Sequence, residues 1–169
     1  MRSAPPPGDV DELLERARSL VGISVGQLAE RLNEPLVDDP VRTKGKVGEL
    51  VERALGASAG SLDQPDFPRL GVELKTIPLA RDGRPRESTF VCALDLDRVQ
   101  EEEWETSRAW RKLRRVLWVV VESADTGPLA ERRLGRPLLW TPTREQQELL
   151  RADWTLIVGR IAVGGVEEI

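Results

Sequence analysis

The stretch Leu70-Gly71-Val72-Glu73-Leu74-Lys75-Thr76-Ile77-Pro78 alternates apolar and polar side chains with a period of two, the pattern of a β-strand with one face on a core. Val72, Leu74 and Thr76 share that face. Glu73 and Lys75 project together from the other, about 7 Å apart along the chain. Pro78 has no N–H to give a ladder and is read as the end of the strand. Beyond it, Arg81-Asp82-Gly83-Arg84 is a hairpin-type turn, and Ser88-Thr89-Phe90-Val91-Cys92-Ala93-Leu94 is expected to return as a second strand.

Outward from this stretch the periodicity changes. On the N-terminal side Asp9 opens a helix with Val10, Leu13, Leu14, Ala17, Leu20 and Val21 on one face, and Gly22 ends it. Ser24 with Gln27 makes a capping box for a second helix carrying Val25, Leu28, Ala29 and Leu32. Thr43 is placed to cap a third, with Val47, Leu50, Val51, Ala54 and Leu55 inward and Gly56 after its end. Residues 1–8, with three consecutive prolines, read as a flexible arm, leaving 9–169 as a single domain. On the C-terminal side a short helix is expected over 106–112. Val116-Leu117-Trp118-Val119-Val120-Val121 is apolar enough for a strand buried on both faces, and Leu138-Leu139-Trp140 suits an edge strand. Thr143 with Gln146 caps a last helix bearing Leu149, Leu150, Trp154, Ile157, Val158 and Ile161. The expected fold is α/β, a mixed central sheet flanked by helices.

Composition narrows the chemistry. The chain of 169 residues has no histidine, no tyrosine and one cysteine, Cys92. Ser-His-Asp hydrolysis, Cys-His proteolysis, His-ligated zinc and tyrosine-nucleophile strand transfer are all excluded. Any metal must sit mainly on oxygen ligands, which favours Mg²⁺, with Mn²⁺ or Ca²⁺ able to occupy the same site. No apolar run reaches the length of a membrane span, and the N-terminus lacks the apolar stretch of a signal peptide, so a cytoplasmic location is expected. Only four of the 25 bases are lysines (Lys44, Lys46, Lys75 and Lys112). In so arginine-rich a chain, a retained lysine either marks a position that needs a compact, tunable ammonium or is a chance survivor of codon bias.

The Glu73–Lys75 pair acquires a meaning from Pro65-Asp66, seven residues upstream. Pro-Asp, a spacer, then Glu-x-Lys is the arrangement of metal-dependent nucleases. Two carboxylates converging on one Mg²⁺ neutralise a scissile phosphate and acidify a water, while the lysine stabilises charge building on the phosphoryl oxygens. Taken alone the pattern also fits a solvated strand face with a cross-strand ion pair. Glu52, on the polar side of the third helix, is a third acid placed to complete such a metal site, or else a surface contact within its helix.

Longer stretches carry a resemblance. They include Lys44-Gly45-Lys46-Val47-Gly48, Leu55-Gly56-Ala57-Ser58-Ala59-Gly60-Ser61, Asp66-Phe67 and Leu70 to Pro78. They continue through Thr89-Phe90-Val91-Cys92, Trp104-Glu105-Thr106-Ser107, Lys112-Leu113, Arg115-Val116-Leu117-Trp118, Pro137-Leu138-Leu139-Trp140 and Asp153-Trp154. In this order they closely resemble the MutH family of methyl-directed mismatch-repair endonucleases. The resemblance implies a restriction-endonuclease-like fold with two lobes around a DNA cleft. It implies Mg²⁺-dependent nicking of the unmethylated strand at hemimethylated GATC sites in double-stranded DNA, stimulated by MutL with ATP, by a monomer. Asp66, Glu73 and Lys75 match the family's catalytic motif, Glu52 the helix acid of its metal site, and Lys112 a lysine near the active site. Lys44 and Gly45 match a loop that approaches DNA, and Phe90 a residue at the DNA surface. The family continues past the position of Ile169 with a tail for base and methylation readout, so a nuclease core without its specificity tail is expected here. The alternative is a shortened, non-catalytic module that binds MutL or DNA and cuts weakly or not at all.

The formal charge of -4 seems to oppose a DNA partner. Its distribution does not: residues 95–105 hold six acids against Arg98, whereas 108–115 hold Arg108, Arg111, Lys112, Arg114 and Arg115 with no acid. That basic run is expected to engage phosphates.

Overall fold

A computed structural model describes residues 4–36, 45–60, 63–123 and 127–165. Three helices come first: α1 (Val10–Ser19), α2 (Val25–Leu32) and α3 (Lys46–Leu55). The Asp9 side chain caps α1, and Ser24 with Gln27 closes the capping box of α2. For α3 the N-cap is Gly45, which offers no side-chain bond. Thr43 and Lys44 lie outside the described residues.

The sheet has three strands, β1 (Glu73–Leu79), β2 (Val116–Glu122) and β3 (Leu134–Trp140), in the order β1-β2-β3. β1 and β2 are parallel, with Glu73 opposite Val116, and β2 and β3 are antiparallel, with Val116 opposite Trp140. The connection from β1 to β2 carries the short helix α4 (Arg108–Leu113). Val72, Leu74, Leu117, Val119, Val121 and Leu134 from the sheet side join Leu13, Ala17, Leu28, Leu50, Val51 and Leu55 from the helices in one apolar core. This mixed α/β arrangement agrees with the expected fold class.

Three local expectations change. The sheet strand does not stop at Pro78 but runs through it to Leu79. Glu73 donates its N–H toward β2, to the Arg115 carbonyl, so alternate residues 74, 76 and 78 present theirs to the open edge. Proline at 78 therefore costs no ladder bond. The same edge explains why Ser88–Leu94 is not a strand. Leu74 N–H is taken by Asp66 and Pro78 has none, which leaves Thr76 as the sole N–H that a returning strand could use there. Only an isolated bridge, Leu79 to Pro85, forms. Finally, where it is described, the proline-rich N-terminal segment is not a free arm. Ala4 donates to the Arg53 carbonyl, Pro5 accepts from Arg16, and Pro7 is buried. Gly56, with φ +83°, makes this possible, because a Cβ there would stand 2.2 Å from the Pro5 carbonyl oxygen.

Helix α5 (Arg144–Ala162) begins at the predicted Thr143–Gln146 capping box. It attaches through Trp154, whose ring meets Trp104 at 5.9 Å, while Trp104 meets Trp110 of α4 at 5.2 Å. Ile161 is buried, but Leu149, another of the apolar residues this helix carries, is 66% exposed. Among the described residues no helix is long and apolar enough to cross a membrane.

Candidate active site

The segment 66–72 doubles back on itself before β1. Phe67 and Val72 exchange backbone hydrogen bonds (2.9 and 3.3 Å) around the turn 68–71, in which Gly71 takes φ +62°. This hook carries Asp66 to the outer edge of β1, where its Oδ2 accepts the Leu74 N–H at 2.8 Å. Oδ1 is left without a hydrogen bond among the described residues. Seven residues of sequence thus become a side-by-side placement of Asp66 and Glu73.

Glu73 is 2% exposed, on the β1 face opposite the apolar core. A lone buried carboxylate would be costly; this one is met by two ammonium groups. Lys75 Nζ lies 2.9 Å from Oε1 and Lys112 Nζ 2.9 Å from Oε2. Lys112 reaches in from α4 and also donates to the Gln64 carbonyl at 2.8 Å, tying the loop before Asp66 to the helix. Glu52 enters from α3. A cleft of about 340 Å³ is lined by Glu52, Asp66, Glu73, Lys75 and Lys112, with Phe90 among its other walls.

The acids repel one another. Burial, then the Glu73 charge, pushes the Asp66 carboxyl up to about 6, against the opposing Leu74 hydrogen bond. Glu52 is raised too, by burial first and by Glu73 second. Among the described residues no three acidic, cysteine or histidine side chains are gathered closely enough to hold a metal ion. Both Glu73 oxygens are instead engaged by lysines. The donor set of Glu52, Asp66 and Glu73 is nonetheless all carboxylate oxygen, and two of the three resist carrying their charge unaided. That chemistry fits a hard divalent cation.

Comparison with known proteins adds an independent line. Residues 55–153 match the family described as MutH, DNA mismatch repair enzyme MutH. The DNA mismatch repair protein MutH of Serratia proteamaculans (strain 568) is 48% identical over 165 residues, which are 98% of this chain and 72% of that protein. The chain belongs to the MutH family. The MutH proteins of Yersinia pestis (strain Pestoides F) and Shewanella baltica (strain OS185) are 49% and 47% identical over 164 residues each, 97% of this chain and 72% and 74% of theirs.

The family match takes in Asp66, Glu73, Lys75, Phe90 and Lys112; Glu52 precedes it but lies on the same cleft. The fold brings these residues together from α3, the hook, β1, the segment 88–94 and α4. It does not gather the basic run 108–115 into one patch. Arg108 forms an ion pair with Asp63, donates to the Ala93 carbonyl at 3.1 Å and lines the cleft. Arg111 is half-buried with its Nε unpartnered. Arg114 and Arg115 line a different hollow. A six-residue helix sends neighbouring positions in different directions, so a charge run cannot be read as a surface. Phe90 is 72% exposed at the rim, and Gly45 sits at the N-cap of α3. Lys44 is outside the described residues. The sequence reading missed Cys92 in the cleft wall, whose thiol is raised chiefly by burial. It also missed the Gln64 carbonyl that steadies Lys112. No sequence signal marks a backbone acceptor.

Proposed function

We propose that this chain is a Mg²⁺-dependent DNA endonuclease of methyl-directed mismatch repair, nicking the unmethylated strand at hemimethylated GATC sites as a monomer in concert with MutL and ATP. The observation that carries the reading is the buried Glu73 held between Lys75 and Lys112, with Asp66 fixed on the same strand edge. Such a cluster has no role in a packed core, yet it matches what phosphodiester hydrolysis needs. Asp66, Glu73 and Glu52 would hold the cation, which when bound supplies charge neutralisation and a more acidic water. Lys75, held on β1 beside Glu73, would supply positive charge to the attacking water and the phosphoryl oxygens. Lys112 keeps Glu73 from turning away and adds positive charge on the other side. The Leu74 N–H orients Asp66 so that one oxygen stays available.

The test is nicking of a hemimethylated GATC plasmid with Mg²⁺, MutL and ATP, beside Glu73→Ala and an EDTA control. We expect nicking that both controls abolish; nicking that survives either one removes the assignment. A second reading, a module that binds DNA or MutL without cutting, draws on the ungathered acids. Binding without nicking in the same assay decides for it.

A further inference from the structure

At the end of the sheet where β1 and β2 begin, Leu70, Gly71, Arg114, Arg115 and Thr141 line a hollow of about 300 Å³. Two adjacent arginines opening into one hollow repel each other, and in a chain with 29 acids against 25 bases an acidic partner is easily supplied. Arg16, Arg53, Arg108, Arg144 and Arg151 each have one. Among the described residues neither Arg114 nor Arg115 does. The Arg114 guanidinium lies against the bare Cα of Gly71, where a Cβ would come within 2.7 Å of Nη2. The hollow is thus lined by two arginines and a threonine, with no carboxylate in its wall. Planar guanidinium groups in that setting suit a tetrahedral oxyanion.

The position says which oxyanion. The Arg115 carbonyl accepts the Glu73 N–H at 3.0 Å, and Arg114 follows Lys112, the partner of Glu73, by two residues. Gly71 precedes Glu73 by two residues, so the hollow adjoins the start of β1. We infer that the hollow is a subsite for a backbone phosphate of the DNA, beside the phosphate that Glu73 and Lys75 engage. This rests on the nuclease reading above and adds the anchor that sets the strand's register over the acids. A phosphate contact carries no base preference, so the subsite serves any sequence.

The test is fluorescence anisotropy of a short labelled GATC duplex in Ca²⁺ over a range of KCl concentrations, paired with nicking kinetics in Mg²⁺. The variants are wild type, Arg114→Gln/Arg115→Gln and Arg114→Lys/Arg115→Lys, with Arg81→Gln, exposed beyond the opposite end of β1, as control. For the Gln pair we expect about tenfold weaker binding and a log–log salt slope shallower by about 1, one phosphate's worth. KM should rise with kcat nearly kept; the Lys pair should recover the slope but not all of the affinity. Unchanged affinity and slope in the Gln pair overturns the inference, as does a loss confined to kcat. Should the double variant not fold by circular dichroism, Arg114→Gln alone, at an exposed position, carries the same test. Wild type that binds DNA through these arginines but never nicks keeps the subsite and refutes the nuclease reading. Wild type that nicks, with an indifferent Gln pair, does the reverse. No binding by wild type refutes both.

Discussion

Replacing Asp66 by asparagine should stabilise the metal-free protein while abolishing cleavage. Asp66 is 7% exposed and, in the fold, takes up its proton near pH 6 rather than at the ordinary 3.8. The cause is burial, then the neighbouring Glu73 carboxylate. Because the folded pKa is the higher one, the stability associated with this group is fully present below about pH 4. It is lost as pH rises through 6. At about 1.4 kcal/mol per unit the loss is roughly 3 kcal/mol at pH 8. An asparagine side chain in its place would carry no charge and could still accept the Leu74 N–H. The burial of that amide cancels part of the gain, so a net of about 1–2 kcal/mol is expected, or a rise in Tm of about 2–8 °C for a chain of this size. The assay is thermal unfolding of wild type and Asp66→Asn in EDTA at pH 5 and pH 8. The variants should nearly coincide at pH 5 relative to their separation at pH 8, and added Mg²⁺ should raise the Tm of wild type only. An Asp66→Asn protein less stable than wild type at pH 8 would refute the like-charge reasoning, because Asp66 would then be held by a favourable partner.

Glu73 should behave oppositely. Glu73→Gln leaves Lys75 and Lys112 facing a neutral amide, and should cost about 2 kcal/mol in urea unfolding as well as all nicking; a stabilised Glu73→Gln variant contradicts the ion-pair geometry. Lys75→Arg should not rescue Lys75→Ala in the plasmid assay, since a guanidinium is larger and cannot adjust its charge. Recovery to wild-type rates ends that argument. Gly56→Ala combines a left-handed backbone with a clash against Pro5 and should lower stability by about 2 kcal/mol. Deleting residues 1–7 in the same variant should lessen its penalty relative to the matching deletion alone; an unchanged penalty means that the contact does not matter.

Much of the site was legible because its signals are local. A strand's alternation forces Glu73 and Lys75 onto one face whatever else happens, and the lack of histidine left carboxylate and lysine chemistry as the available route. Helix starts at Asp9, Ser24 and Thr143 were readable because a cap is a bond within four residues. Other features depend on partners distant in sequence. Pro78 stays in its strand because β1 is an edge strand, and a proline cannot reveal which edge it faces. Ser88–Leu94 has the composition of a strand but finds the edge donors at 74 and 78 taken or missing.

The sequence by itself determined the α/β class, the family and the residue types of the cleft, since periodicity, capping and motif spacing are properties of short segments. Only the tertiary structure decided which charges meet. It set Lys112 against Glu73 across 39 positions and turned Arg114 and Arg115 away from Arg108 into a hollow of their own. It also anchored the proline-rich start on Gly56. Electrostatics acts through distance in space, and a linear charge pattern does not contain that distance.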